Sequence, residues 1–247
     1  MSGFPNHFSA VAADYASHRP TYPAALFEWL ADQAPARGLA WDCATGSGQA
    51  ARDLAGHFDR VIATDAAAAQ IEAAVAHPGI EFRIAPAEAS GLDTTCVDLV
   101  TVAQALHWFR VEDFFAEARR VLVPGGVIAV WSYSRLLTDA PAIDERLWHF
   151  YSEVVGPWWP FERRHVETGY RDLPFPFEAL EAPHFAMQAE WNLAALGDYL
   201  RTWSATRRYI EERGDDPVMP LLDELAPMWG AAREVRWPLN LRTGRHA

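Results

Sequence analysis

The chain has 247 residues, half of them hydrophobic and 22% charged, a composition that excludes a disordered, collagen-like or coiled-coil protein. Twenty-one basic against 33 acidic residues give a net charge of −12, which argues against a general nucleic-acid-binding protein, because such a protein needs a basic face. No secretory leader and no apolar run of 18 residues is visible, and Cys43 and Cys96 are too few for a disulfide framework or a metal cluster. We therefore expect a cytoplasmic protein that binds neither membrane nor metal.

Strands and helices alternate through the first half of the chain. A helix is predicted to begin near Pro23, after a proline-rich start. From about residue 39 the apolar patterns predict five strands, in LAWDCA, RVIATD, IEFRIA, VDLVTVAQALHW and GGVIAVWSYS. A helix is predicted between successive strands except between the third and the fourth. Near-continuous apolar strands alternating with helices predict an α/β fold with a parallel sheet that helices cover on both faces.

The pattern changes beyond residue 138. Residues 140–180 are rich in aromatic residues and proline and are typical of an insertion rather than another strand–helix unit. The chain then predicts a strand over 184–193, helices over 196–213 and 218–232, and a last strand over 233–242. We expect these last two strands to pair antiparallel, within one domain that carries an embedded cap.

A glycine-containing loop is the sharpest local signal. The segment Asp42-Cys43-Ala44-Thr45-Gly46-Ser47-Gly48 lies directly after a predicted strand and before a helix. Glycines at such a position let the backbone turn tightly and approach a ligand closely. Asp65 ends the next predicted strand, where a carboxylate can accept hydrogen bonds from both hydroxyls of a ribose.

The glycines alone do not choose the cofactor, because Gly46-x-Gly48-x-x-Ala51 also fits the NAD fingerprint. Asp42 favours a different ligand, since a carboxylate repels a pyrophosphate and attracts an amino group or a sulfonium. A tight turn with a structural aspartate is the simpler alternative interpretation of this loop.

The acid–x–small–x–Gly–x–Gly spacing of the loop resembles motif I of the class I S-adenosylmethionine-dependent methyltransferases. Pro86-Ala87-Glu88 is similar to the adenine-contacting segment of that family, and Ala103-Gln104-Ala105-Leu106-His107-Trp108 to its substrate-facing strand end. Arg120–Gly126 is similar to the turn into its fifth strand. The leader resembles that of the subgroup containing the trans-aconitate methyltransferases (methyltransferase type 11), on Phe8, Tyr15, Arg19-Pro20 and Tyr22-Pro23.

The resemblance covers residues 8–135 well, residues 185–242 loosely and residues 138–180 hardly at all. Two positions depart from the family pattern. Ala44 stands where many relatives have glycine, which is tolerated if φ stays negative. Gln70 stands where many relatives place a methionine against the adenine.

The resemblance implies a Rossmann-like, seven-stranded, mostly parallel sheet with helices on both faces, an antiparallel last strand and a small cap insertion. It implies a single methyltransferase domain over 1–247. The parts of this domain are an N-terminal lid and helix over 1–34, a cofactor-binding core over 35–137, a cap insertion over 138–182, and strands and helices completing the sheet over 183–247.

S-adenosyl-L-methionine is the cofactor that the resemblance implies. The residues expected to bind it are Tyr15, Arg19, Asp42, Ala44, Gly46, Gly48, Asp65, Ala66, Gln70, Ala87, Glu88, Ala103 and Gln104. His107 and Trp108 lie where the transferable methyl group should point and are the expected catalytic residues. The structural alternative is a half-buried histidine and a tryptophan that belongs to the core.

The expected partner is a small-molecule methyl acceptor bound by a monomer or homodimer. The aromatic residues of the insertion should mostly be core, and some should cover a pocket. An arginine could bind an anionic acceptor there. The candidates are Arg163, Arg164, Arg201, Arg207 and Arg208. O-methylation of a carboxylic acid needs no base, so His107 would then orient the acceptor. For a phenol or a carbon acid, His107 would be the natural base. C- or N-methylation of a small aromatic or polyketide-like acceptor stays open as an alternative.

Two other protein classes compete with this interpretation. An NAD-binding oxidoreductase using a Tyr-x-x-x-Lys proton relay is impossible here, because all 21 basic residues are arginine. A non-catalytic protein that binds the cofactor as a sensor stays open.

Overall fold

A computed structural model describes residues 20–247. The predicted N-terminal lid therefore lies largely outside the described residues, which contain only its helix α1, Ala24–Gln33.

A seven-stranded sheet forms the centre of the molecule. Its strands are β1 Leu39–Cys43, β2 Arg60–Asp65, β3 Ile80–Ile84, β4 Val97–Ala103, β5 Leu122–Ser132, β6 Glu178–Leu180 and β9 Asn240–Arg245. They lie in the order β3-β2-β1-β4-β5-β9-β6. The first five strands pair in parallel, and β9 runs antiparallel to both β5 and β6. The sheet confirms the predicted mostly parallel, seven-stranded α/β fold with an antiparallel last strand.

Neighbouring residues of the central strands face opposite sides of the sheet, and both sides are buried. Along β1, Ala40 packs in one hydrophobic cluster and Trp41 in the other. Residues 97–102 of β4 are all buried, which explains the near-continuous apolar sequence of this strand. Helices therefore cover both faces.

The helices follow the expected alternation. The helix α4, Val111–Val121, shows why such a segment becomes helical. Its buried residues Phe114, Phe115, Ala118 and Val121 form a stripe at helical spacing. Acidic residues in its first turn and arginines in its last turn interact favourably with the helix dipole. The helices after α1 are α2 Gln49–Leu54, α3 Ala68–Ala73, α4 Val111–Val121, α5 Pro141–His149, α6 Arg163–Glu167, α7 Leu193–Arg201, α8 Ser204–Arg213 and α9 Val218–Trp229.

The C-terminal part differs from the sequence prediction in two details. The single strand expected over 233–242 is two strands, because Pro238 has no N–H to continue the ladder. Its first part, β8 Arg233–Pro238, pairs antiparallel with β7 Ala186–Trp191 in a separate two-stranded sheet, and its second part is β9. The segment expected to be only a cap also contributes the edge strand β6. Within residues 20–247, no helix is long and apolar enough to cross a membrane.

Candidate functional site

The carboxyl ends of β1, β2 and β4 lie side by side at one edge of the sheet. Cys43, the last residue of β1, pairs with Thr64 of β2 and Val102 of β4. Ligands of open α/β sheets bind in the crevice outside the carboxyl ends of the strands, so we expect the ligand cleft at the loops that follow these strands. Most of the predicted cofactor and acceptor residues from Asp42 to Trp108 belong to these strand ends and the loops after them; Gln70 lies in α3, and Ala87 and Glu88 follow β3.

The glycine loop has a backbone that only glycine adopts easily. Gly46 and Gly48 have φ of 57° and 86°. A Cβ atom on Gly48 would lie 2.9 Å from the Phe82 ring, closer than a side chain tolerates. Both glycines are therefore required by the turn from β1 into α2.

Ala44 does not meet the condition under which alanine is tolerated without strain. Its φ is +54° and not negative, so the residue adopts the left-handed conformation that glycine would adopt without strain. Gln104 at the end of β4 and Tyr170 in the cap also have positive φ, of 57° and 61°. These three are among four such non-glycine residues in the described chain, and backbone strain of this kind concentrates at functional sites.

Asp42 lies beneath the loop and is only 1% exposed. Its two carboxylate oxygens accept hydrogen bonds from the hydroxyls of Thr45, at 2.5 Å, and Thr101, at 2.8 Å. Burial raises the pKa of Asp42 to about 6, and the charge of Asp65 adds to the increase, while the two threonine hydrogen bonds oppose it. A carboxylate held this way attracts a cationic group strongly.

Asp65 is half-buried at the end of β2 and braces the glycine loop. Its carboxylate accepts the backbone N–H of Gly46 at 3.0 Å and of Ala67 at 2.9 Å. Each oxygen keeps a further lone pair for a ligand hydroxyl. Burial raises the pKa of Asp65, against these two hydrogen bonds. Ala66 is exposed beside it, and Gln70 Oε1 lies 3.8 Å from the position of a Cβ on Gly46.

Glu88 brings a third carboxylate to this edge. Its Oε1 accepts the backbone N–H of Arg110 at 2.8 Å, which ties the loop after β3 to the start of α4, and Ala87 beside it is buried. Burial, followed by the negative charges of Asp42, Asp65 and Glu88, raises the pKa of the Cys43 thiol. The three carboxylates thus converge on the end of β1.

The strand end at β4 carries the expected acceptor-facing residues. Ala103 and Gln104 are half-buried, and the Gln104 amide nitrogen donates to the Tyr133 carbonyl at 2.7 Å. A 3₁₀ turn over Leu106–Trp108 then presents His107, whose ring centroid is 4.7 Å from that of Trp108.

His107 is paired with a residue of the cap. Its Nδ1 lies 3.0 Å from the Tyr170 hydroxyl. Burial lowers the pKa of His107 to about 3, and the charges of Arg163 and His165 contribute. The imidazole is therefore neutral at physiological pH and is a weak base.

Arg163 is the first residue of α6, the cap helix that contacts the 3₁₀ turn of His107. Its Nε donates to the Tyr151 hydroxyl at 3.1 Å, and its guanidinium stacks 4.4 Å from the Trp159 ring centroid. Tyr151 in turn donates to Glu167 at 2.8 Å. No carboxylate of the described residues comes within ion-pairing distance of Arg163.

Other arginine candidates are engaged elsewhere. Arg201 forms an ion pair with Asp216 at 2.8 Å, and Arg208 donates to the Trp158 carbonyl at 3.4 Å. Arg164 stacks on the ring of Phe161, which is 72% exposed. The aromatic residues of the insertion differ in burial: Tyr151 belongs to the core, as do Trp131 and Tyr133 before the insertion, whereas Trp148 and Phe161 are exposed.

Sequence reasoning missed Tyr170, because nothing local connects it to a histidine 63 residues away. The one available signal was Gly169 before it, at the end of α6. Tyr15 and Arg19 lie outside the described residues, so their cofactor contacts stay predictions. Within 20–247, no three His, Cys, Asp or Glu side chains are grouped in a way that could hold a metal ion.

Comparison with known proteins gives a consistent set of relatives. Residues 41–130 match a methyltransferase domain family. A Dictyostelium discoideum protein named as a methyltransferase is 31% identical over 226 residues, which cover 90% of this chain and 85% of that protein. An uncharacterized methyltransferase of Mycobacterium tuberculosis is 33% identical over 206 residues, 82% of this chain and 76% of that protein.

A solved structure is also similar along nearly its full length. This protein of Anaeromyxobacter dehalogenans, named as a type II methyltransferase, is 45% identical and superimposes with a TM-score of 0.87. The match covers 92% of this chain and 97% of the other.

Proposed function

Because this chain belongs to the class I S-adenosylmethionine-dependent methyltransferases, we propose that it binds S-adenosylmethionine at the sheet edge where Asp42, Gly46 and Asp65 lie. We propose further that it methylates a small carboxylic acid. One observation carries the proposal: acidic and basic groups reach the strand ends on different elements. Asp42 and Asp65 accept hydrogen bonds from the glycine loop, whereas Arg163 lies in α6, the cap helix that contacts the 3₁₀ turn of His107.

The acidic side suits the cofactor. Asp65 would accept the ribose hydroxyls with the lone pairs that its two backbone donors leave unused. Asp42 and its neighbours would attract the ammonium and sulfonium groups and disfavour a pyrophosphate. Ala87 and Glu88 would border the adenine, with Gln70 near the loop.

The basic side suits an anionic acceptor. Arg163 is oriented by Tyr151 through Nε, which leaves the two terminal nitrogens of its guanidinium available to bind a carboxylate. Trp159 and Tyr151 flank it with aromatic surface that excludes water. A carboxylate held there lies on the same side of the cleft as His107.

The residues of the chain then contribute alignment rather than proton transfer. When bound, S-adenosylmethionine supplies a methyl group whose carbon bonds to the carboxylate oxygen while the positively charged sulfur leaves with the electron pair. A carboxylic acid with pKa near ~4 is already deprotonated at neutral pH and needs no base. Arg163 and His107 would hold it in line, and positioning alone can supply about 7–11 kcal/mol of the barrier.

Methyl transfer from the labelled cofactor to a panel of small carboxylic acids tests the proposal, with the matching primary amides as controls. A methyl ester releases methanol in alkali, whereas a methyl group on carbon or nitrogen does not. Alkali-labile label on the acids and none on the amides is the expected result. Alkali-stable label would contradict a carboxylate acceptor and would indicate methylation of carbon or nitrogen.

A further inference from the structure

We infer that Tyr170 fixes His107 in the tautomer that carries its proton on Nε2, so that His107 offers the acceptor a hydrogen-bond donor and not a base. Tyr170 is then a positioning residue that acts through His107. The consequence for the acceptor rests on the proposed function, whereas the tautomer itself does not.

The first step concerns the Tyr170 hydroxyl. Tyr170 is fully buried, and a buried hydroxyl group needs an acceptor for its proton. Within the described chain, His107 Nδ1 is the acceptor in reach, at 3.0 Å. The Tyr170 proton must therefore point to Nδ1, and Nδ1 must be unprotonated.

The opposite arrangement would leave a buried proton without a partner. If Nδ1–H donated to the Tyr170 oxygen, the phenol proton would have no acceptor among the described residues.

The backbone around Tyr170 is built to hold this side chain in place. Gly169 and Tyr170 both have positive φ, of 62° and 61°. A Cβ on Gly169 would lie 2.8 Å from the Asn240 side chain, so the turn requires glycine. Arg242 donates to the carbonyl groups of Tyr170 and Leu173. A strained residue held from several sides is typical of a functional constraint.

Burial, together with nearby positive charges, keeps the His107 ring neutral. Arg163 and His165 of α6 both disfavour a positive charge on it, and Tyr170 fills its Nδ1 side. A neutral ring whose Nδ1 is unprotonated carries its proton on Nε2. Arg163 and His107 then present only donors to the acceptor, a set that selects an anionic oxygen and rejects an ammonium group.

Nitrogen-15 NMR of the histidine rings tests the tautomer directly, with the His107 signals assigned from their loss in His107→Gln. In the wild type we expect an unprotonated Nδ1 and a protonated Nε2, unchanged between about pH 5 and 8. Tyr170→Phe should give a mixture of tautomers, and Tyr199→Phe, which removes another buried hydroxyl, should leave the wild-type pattern. A protonated Nδ1 in the wild type, or the same pattern in Tyr170→Phe, would overturn the inference.

A pair of substitutions tests the consequence for the acceptor. The glutamine amide in His107→Gln can place an N–H near the position of Nε2, whereas the shorter His107→Asn reaches only toward Nδ1. We expect the acceptor KM to be about tenfold higher in His107→Asn than in His107→Gln, as loss of a hydrogen bond to a charged group predicts, and the pH profile of kcat to stay flat in both variants. Equal loss of kcat in both variants would show that His107 is a base.

The NMR and methylation experiments distinguish a failure of the inference about His107 from a failure of the proposed function. If no carboxylic acid is methylated, the proposed acceptor fails, but the NMR experiment still decides the tautomer of His107. If the tautomer is wrong while carboxylic acids are methylated, only the role of Tyr170 fails.

Discussion

Asp42→Asn should make the protein more stable at neutral pH. Burial raises the pKa of Asp42 from 3.8 to about 6, which corresponds to about 3 kcal/mol. The folded state binds this proton more tightly than the unfolded chain, so the contribution to stability is complete below about pH 4 and is lost as the pH rises through about 6. Asparagine has no proton to lose and avoids that destabilisation.

The free energies of unfolding of Asp42→Asn and wild type, from chemical denaturation at a series of pH values, test this reasoning. Their difference should be small at about pH 4, where the wild-type carboxyl is protonated in the folded state, and should grow to about 3 kcal/mol in favour of the variant by about pH 8. A difference that stays constant, or falls as the pH rises, would refute the reasoning.

The same variant should bind the cofactor more weakly, because a neutral amide does not attract the ammonium and sulfonium groups. Asp98→Asn is the matched control: Asp98 is a buried carboxyl at the opposite end of β4, where it accepts the backbone N–H groups of Gly38 and Leu39. It should leave the cofactor affinity unchanged. Gain of stability together with loss of affinity would identify Asp42 as a residue retained for binding.

Three further substitutions test separate parts of the site. Ala44→Gly should raise the free energy of unfolding by up to about 1 kcal/mol, because it relieves a left-handed alanine; a loss of stability would contradict the observed φ. Gly48→Ala should lower it by about 1–3 kcal/mol through strain and the clash with Phe82, and a variant as stable as the wild type would be inconsistent with that geometry. Arg163→Gln should raise the acceptor KM at least about tenfold while Arg164→Gln changes it little; equal effects would remove Arg163 as the carboxylate ligand.

The central sheet and the glycine loop could be predicted from sequence because both depend on local patterns. The apolar run of β4 and the glycines at 46 and 48 each determine their own conformation to a large extent. β6 had no such signal: its three residues, Glu178–Leu180, form a strand only because they pair with β9. The sign of φ at Ala44 was likewise set by the surrounding turn and not by the residue itself.

The acceptor side depends on contacts between residues far apart in the chain. The sequence could name five arginines as clamps, but only the fold shows that Arg163 lies beside His107 while Arg201 is neutralised by Asp216. The contact of His107 with Tyr170 joins the end of β4 to the cap, and no periodicity or spacing relates these two positions.

Calorimetric titration of the cofactor into wild type and Asp65→Ala tests the central claim most directly. We expect S-adenosylmethionine and its demethylated product to bind the wild type and NAD not to bind. Asp65→Ala should weaken binding by about 1–3 kcal/mol, because it removes the acceptor of the ribose hydroxyls. Asp59→Ala, which removes an exposed acid outside the site, should bind as the wild type does. Tighter binding of NAD, or equal affinity of wild type and Asp65→Ala for S-adenosylmethionine, would contradict the account.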